Sequence, residues 1–503
     1  MKPPNSNQAK SIEKPTVPLL IAPKLGFYLP VIIIAGLLLT FPHKTLSTFS
    51  LFTQFFLENF DSQFIQLSSL LLIVATVICF SPIGKIRIGG DQAKTEFNFA
   101  SWIAMLFTAG MGSGLIFWGV AEPVYHFVNP PAFLQDDFSS VSGALAITYF
   151  HWGLHAWAIY AMTGLVMAWF AYNRNRSLRI SASFSDQKPK WLSILDLLAV
   201  VAIIFGMAGT FANTVALIQT GLEQAVGLNV GSASFRIGLI LFIAVLFTLS
   251  SIAGLSQGIK RLSQFNTLFM VAILVVVIAL VDPINSMKLM LESTVSYLQL
   301  LPKVSFSVGE PAKWSQGWTV IYLIWWIAWA PFVGPFIARI SKGRSIRQFL
   351  SCTILLPTLT SIIWFSGFAG SVLTQPFAAE VMAAVNQEYT LGLFSFFSHL
   401  SGDGFPLGSI LSVAAILLLV TFLITSADSS IYITSMLTGS ESHIAKMLWS
   451  IVLIAITIAL VTINDVDLNK QIAIVGAIPF TLVMSSQIVF WLKDVLITNK
   501  NLN

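Results

Sequence analysis

Charge and cysteine are scarce in this sequence. Of 503 residues only 10% are Asp, Glu, Lys or Arg, while 56% are hydrophobic; a soluble domain carries about 25% charged residues, so that class is excluded. The two cysteines, Cys79 and Cys352, stand in separate apolar runs. That excludes a disulfide framework and a thiolate metal centre and leaves two small buried hydrophobes. A His-rich cluster, HExxH, GxSxG and a Walker loop are all missing, so no enzyme is expected. The repeated filter or charged ring of a channel is missing too. No basic stripe interleaved with aromatics stands apart from the loops, which excludes nucleic acid as a partner. His151 and His155 are spaced to share a metal, but the sequence offers no third ligand, and a transition metal is not expected. The first 24 residues lack the short apolar core of a removable signal, so the first span is expected to be retained.

What the chain has is apolar runs. Punctuated by Gly, Pro and charge, they give about twelve expected membrane spans, near 26–43, 63–82, 98–120, 143–172, 194–222, 235–254, 262–281, 314–341, 348–373, 408–437, 443–463 and 468–492. The stretches 284–301 and 378–401 are amphipathic or interrupted and read as helices lying on or re-entering the surface. With both termini cytoplasmic and the spans alternating, 21 of the 27 Lys and Arg fall inside. The connections 121–142 and 374–407 contain neither residue, as the positive-inside rule expects of external loops. The net charge of +5 is therefore a topology signal, and the expected location is the plasma membrane of a bacterium, its inner membrane, with the bilayer as partner.

A secondary transporter fits this pattern, because such proteins interrupt helices at Gly and Pro in mid-membrane and bind solute there. In FTAGMGSGLIFWGVAEP, residues 107–123, Gly110, Gly112 and Gly114 alternate. Each costs about 1 kcal/mol of helix stability relative to alanine. Small-residue packing accounts for one or two such glycines; the repeat favours local unwinding, which frees backbone groups for a ligand or ion. Trp325, Trp326 and Trp329 lie between Trp318 and Arg339, near mid-depth at about 1.5 Å per residue, where interfacial anchoring fails. Trp102, Trp169, Trp314, Trp364 and Trp491 read as anchors or packing residues. HWGLHAWAIY adds Trp152, Trp157 and Tyr160. Several electron-rich faces with no acid beside each suit a quaternary ammonium, held by cation–π attraction of about 2 kcal/mol or more when desolvated; an aromatic packing layer is the plainer alternative.

Four stretches, GMGSGLIFWGVAEP, HWGLHAWAIY, WWIAWAPFVGPFIARISKGRSIRQF and TSADSS, together resemble the betaine/carnitine/choline transporter family, in the same order and spacing across nearly the whole chain. The resemblance implies an all-α membrane protein with a LeuT-type core of two inverted five-helix repeats. It divides the chain into a cytoplasmic tail (1–25), two peripheral helices (26–97), a first repeat (98–281), an amphipathic linker helix (282–313), a second repeat (314–492) and a short cytoplasmic tail (493–503). A homotrimer is implied as well. On the same ground Trp152, Trp157, Tyr160 and Trp326 form an aromatic box, Trp325 and Trp329 line the pathway, Phe117 and Phe336 gate or line it, and Met111 and Gly114 sit on the unwound stretch. Consecutive helical residues point about 100° apart, so Trp325 and Trp326 cannot share a face unless Pro331 and Pro335 disturb the helix.

The resemblance also implies coupling to sodium, the one ion expected, with no cofactor. Its ligands would be the hydroxyls of Thr425 and Ser426 and the carbonyls of Phe422, Thr108 and Met111; an all-oxygen set suits a hard cation. The plainer alternative is a Ser/Thr pair bonding its own helix. A second sodium would use Thr210 and Thr214, with Phe332 as a cation–π partner. Sodium-independent exchangers of the family place an arginine where this chain is expected to have Thr267. Asp428, the most conspicuous intramembrane acid, reads as an organiser of nearby backbone. The short tails favour a carrier over an osmotic sensor. Expected is sodium-driven uptake of a small zwitterion or cation, glycine betaine first; a carnitine-type exchanger, or uptake of dimethylsulfoniopropionate, ectoine or choline, is the alternative. Choline is disfavoured, since Gly114 stands where choline carriers of the family have an aspartate and no counter-ion is evident.

Overall fold

Long runs of Leu, Ile, Val, Phe and Ala with little punctuation can bury their backbone polar groups in lipid only as helices, and the described residues form helices joined by short turns. The computed structural model describes residues 25–134, 140–185, 190–253, 258–309, 312–401, 406–463 and 466–500. The helices used below are α1 (Leu25–Thr40), α2 (Pro42–Phe80), α3 (Phe99–Val128), α4 (Val141–Trp152), α5 (Leu154–Ala168), α6 (Ser193–Val226), α7 (Ala233–Ala253) and α8 (Gly258–Val281). They continue with α9 (Pro283–Val304), α10 (Ile321–Ile340), α11 (Ile346–Phe365), α12 (Ala378–Gln387), α13 (Leu391–Ser398), α14 (Leu407–Leu437), α15 (His443–Ile463) and α16 (Val466–Lys500). No strand occurs among the described residues, only one isolated bridge between Arg87 and Ser345.

Among the described residues ten helical stretches are long and apolar enough to cross a membrane, and bent α3, taken as one span, makes an eleventh. The expected first span is only the short α1. Residues 44–62, which lie between the first two expected spans, are helical and belong to α2, with a break at Phe60 (φ −134°, ψ 15°). Its sequence explains this: between Pro42 and the break there is no Gly or further Pro, and Leu51, Phe52 and Phe55 form an exposed apolar side. Linker helix α9 buries Leu289, Ser293, Tyr297 and Leu300 on one side, while its outer side exposes Ile284, Met287, Leu291, Val295 and Leu298 beside the Lys288–Glu292 ion pair. Trp102, Trp169, Trp364 and Trp491 are each at most 2% exposed, so they pack inside the bundle rather than anchor its rim. Helix α10 stays continuous through Pro331 and Pro335, contrary to the expected disturbance. Within a bundle, neighbours tolerate the missing donors.

Candidate functional site

Two interrupted spans and one continuous helix build the centre of the molecule. The two halves of α3, Phe99–Leu106 and Gly110–Val128, bend by 58°, and within the second half Gly112 adopts φ 37°, ψ −154°, a backbone open to glycine and strained for other residues. The neighbouring glycines serve a different purpose. A Cβ at Gly110 would lie 2.5 Å from Cη2 of Trp157 and 3.0 Å from Tyr160, and one at Gly114 would lie 3.1 Å from Cη2 of Trp152. Gly110 and Gly114 therefore make room for indoles, while Gly112 turns the chain.

The second break, at Gly153 (φ −107°, ψ −134°), separates α4 from α5. In an unbroken helix five residues turn the chain about 500°, placing Trp152 and Trp157 about 140° apart. With the break, both approach the ring of Trp326. The freed backbone groups find partners: the Ser361 hydroxyl donates to the Trp152 carbonyl (3.0 Å), the Leu154 N–H donates to the Tyr297 hydroxyl (3.1 Å), and Trp326 Nε1–H donates to the His151 carbonyl (2.9 Å). Trp326 is thereby tied to the broken span.

Around Trp326 the rings of Trp152, Tyr160 and Trp157 lie at 5.5, 5.1 and 6.1 Å between centroids, the first nearly perpendicular. Of these, Trp152, Tyr160 and Trp326 border a cavity of about 560 Å³, including space open to solvent, lined by Gly110, Met111, Gly114, Phe117, Trp118, Trp152, Tyr160, Thr210, Asn213, Thr214, Tyr322, Trp325, Trp326 and Trp329. Both Trp325 and Trp326 reach it although α10 is regular there, because the cavity spans the arc between them. Trp157 is fully buried and does not line it; its ring packs behind Tyr160 and against Gly110. Phe332 touches Trp329 (5.6 Å) without lining the cavity, and Phe336 is half-buried farther along α10.

Of the residues expected to hold sodium, Thr425 and Ser426 lie side by side on α14, each 6% exposed. The Thr425 hydroxyl donates to the Phe422 carbonyl at 2.9 Å and sits 3.2 Å from that of Thr421. Ser426 Oγ is 3.5 Å from where a Gly112 Cβ would stand, so Ser426 faces the bend next to Met111. Thr108 lies outside the residues whose side chains are described. In the second expected set, Thr214 Oγ1 is 2.7 Å from the Ser113 hydroxyl and donates to the Thr210 carbonyl (2.8 Å), and Thr210 donates to Gly206 (3.0 Å). Thr267 donates to Ser263 within α8 (3.0 Å), and Asp428 accepts from Ser250 at the end of α7 (2.5 Å).

The residue that sequence reasoning missed is Glu122. It is fully buried, and its Oε2 accepts from Trp152 Nε1–H (2.7 Å) and the Tyr322 hydroxyl (2.5 Å), while Oε1 lies 2.7 Å from His151 Nδ1 and 3.4 Å from His126 Nε2. The expectation of aromatics without a nearby acid is thus corrected: a carboxylate stands directly behind a box indole. The rule applied to Asp428, that an intramembrane acid is functional by default, would have found it, with His126 four residues on as a second signal. His151 and His155 do not face one metal. His151 joins Glu122 and the Thr319 hydroxyl (2.9 Å), and His155 Nε2 contacts Ser69 and Ser305 (3.1 and 3.2 Å). Glu122, His126 and His151 bring ligand-type atoms within 4.8 Å of one another, a spacing their hydrogen bonds account for.

Beyond Trp118 a second aromatic group holds a cation of the chain itself. Lys470 Nζ, on the nearly buried Lys470 side chain, lies 4.9 Å from the Trp118 ring, 5.0 Å from Trp318 and 5.5 Å from Tyr389.

Comparison with known proteins gives a consistent picture. A family model described as betaine/carnitine/choline family transporter matches residues 25–499. The chain is 33% identical over 473 residues to a glycine betaine/proline/choline transporter of Vibrio parahaemolyticus, covering 89% of this chain and 84% of that one. A second protein of that organism, a glycine betaine/proline/choline/ectoine transporter, is 37% identical over 401 residues, 76% of this chain and 70% of the relative. The glycine betaine transporter OpuD of Bacillus subtilis is 33% identical over 445 residues, 86% and 85% respectively.

Proposed function

The chain belongs to the betaine/carnitine/choline transporter family, a family of multi-pass membrane transporters, and from that premise we propose that it imports glycine betaine or a closely related onium solute down a sodium gradient. The observation that carries this reading is the cavity between the bent α3 and the Trp152, Tyr160, Trp326 rings, a desolvated set of π faces of the kind that binds quaternary ammonium groups. A carboxylate carried by the same solute would meet the amides around Gly110–Gly114. Coupling is supported by the position of Ser426 against Gly112: an ion held there by Ser426, Thr425 and the carbonyls of Phe422, Met111 and Thr108 would tie α14 to the bend that forms one wall of the box. Thr210 and Thr214 remain the proposed second ion site.

The proposed architecture around this site is the inverted five-helix repeat preceded by two extra helices, with both termini cytoplasmic and three copies per assembly. The test is uptake of radiolabelled glycine betaine into proteoliposomes with and without an inward sodium gradient. Accumulation only with the gradient is expected. Full counterflow in sodium-free vesicles would replace this reading with that of an exchanger.

A further inference from the structure

The carboxylate of Glu122 reaches the box through a single indole. Trp152 turns one face to the cavity and its ring N–H to Glu122 Oε2 at 2.7 Å. Tyr322, whose hydroxyl donates to the same oxygen, is another lining residue. The third partner, His151, offers its backbone carbonyl to Trp326. One buried acid therefore holds two lining rings, Trp152 and Tyr322, and its partner His151 ties a third, Trp326, through the backbone. The donor set suits an ionised carboxylate: an indole N–H can only donate, and an ionised Glu only accepts.

Resting on the reading of the cavity as an onium site, we propose that Glu122 is the counter-charge of that site, setting its preference for a positive headgroup over an uncharged one of the same shape. Two effects act together. Unscreened by water, the negative charge attracts a cation on the far side of Trp152, and hydrogen bonding of the indole N–H to a carboxylate raises the electron density of the ring face that the cation meets. The residue is a specificity and positioning residue; it does not touch the solute. The ammonium of Lys470 stands against a different lining ring, Trp118 (4.9 Å), so among the rings grouped around Trp326 it is Trp152 that is backed by a charge, the Glu122 carboxylate.

The variant that isolates the charge is Glu122→Gln. Its carbonyl oxygen can still accept from Trp152 and Tyr322 and its amide can donate to His151 Nδ1, with His151 Nε2–H turned to Thr319, so the geometry survives without the charge. Binding of glycine betaine, choline and 3,3-dimethylbutanoate, the carbon isostere of glycine betaine, is measured on purified wild type, Glu122→Gln and Glu122→Asp by calorimetry, with size-exclusion profiles as the check on folding. In Glu122→Gln both onium ligands are expected to weaken about tenfold, while the isostere is unchanged or tighter. In Glu122→Asp, which keeps the charge but shortens the reach, the preference for onium over isostere is expected to persist even if all three ligands bind less well. Equal shifts of the three ligands in Glu122→Gln, or loss of the preference in Glu122→Asp, would overturn the inference alone. Failure of the wild type to bind either onium ligand would overturn the functional reading and this inference with it.

Discussion

Replacing Trp326 with leucine removes the ring that the other box members surround. Its centroid lies 5.1 to 6.1 Å from those of Tyr160, Trp152 and Trp157, and it is itself a lining residue. One π face lost from a dry site is worth about 2 kcal/mol, or roughly a thirtyfold rise in Kd for an onium solute. The substitution also leaves the His151 carbonyl without the N–H that caps it at 2.9 Å, costing about 1–3 kcal/mol of stability. Trp326→Phe separates the two effects: it keeps a face and drops the donor, so it should lose stability while retaining most of the affinity. Trp157→Leu is the internal control. Trp157 is buried behind the lining, so its loss should lower the melting temperature more and the affinity less than loss of Trp326. Calorimetric titration with glycine betaine, alongside thermal unfolding in detergent, reads both quantities. Unchanged affinity in a folded Trp326→Leu protein would refute the role assigned to the ring.

Three further substitutions probe the surroundings. Gly110→Ala places a methyl 2.5 Å from Trp157 and 3.0 Å from Tyr160, a clash that should displace the rings and abolish uptake while leaving the protein in the membrane; near-normal uptake would mean that the rings yield freely. Thr425→Ala combined with Ser426→Ala deletes two hydroxyls at nearly constant shape and is expected to remove most sodium-driven accumulation, with full retention in vesicles counting against the ion site. Gly114→Asp adds a negative charge to the cavity wall beside Trp152. Because its Cβ would lie 3.1 Å from Trp152, the ring must give by a few tenths of an ångström, and the variant should shift competition toward choline at lower overall affinity. No change in the choline to betaine ratio would contradict the charge argument.

Membrane class, most helix positions and the cluster of aromatics were legible because each is a local property of the chain: hydropathy over about twenty residues, or several rings in one short stretch. What the sequence hid depends on direction. Trp157 and Trp152 are equivalent as letters, yet one lines the cavity and the other packs behind it, because the break at Gly153 turns the two halves of a span differently. Gly153 did not stand out, since a single glycine in a helix is common; its role comes from residues over a hundred positions away, Ser361, which donates to the freed Trp152 carbonyl, and Tyr297, which accepts from the freed Leu154 N–H. Glu122 was hidden in the same way. Its partners Trp152, His151 and Tyr322 come from two other helices, and no spacing in the sequence joins them to it.

The break at Gly153 has a mechanical side. A Cβ there would meet the Tyr149 carbonyl at 2.4 Å and the Tyr297 hydroxyl at 2.9 Å, so the joint is backed by one side chain of α9, a helix whose opposite side is exposed and mixes apolar residues with the Lys288–Glu292 ion pair. Tyr297 works as a fulcrum: on one side lies the rod carrying Trp152, on the other the rod carrying Trp157 and Tyr160. A displacement of α9 would therefore act first on the joint between two walls of the cavity, without a part that enters it.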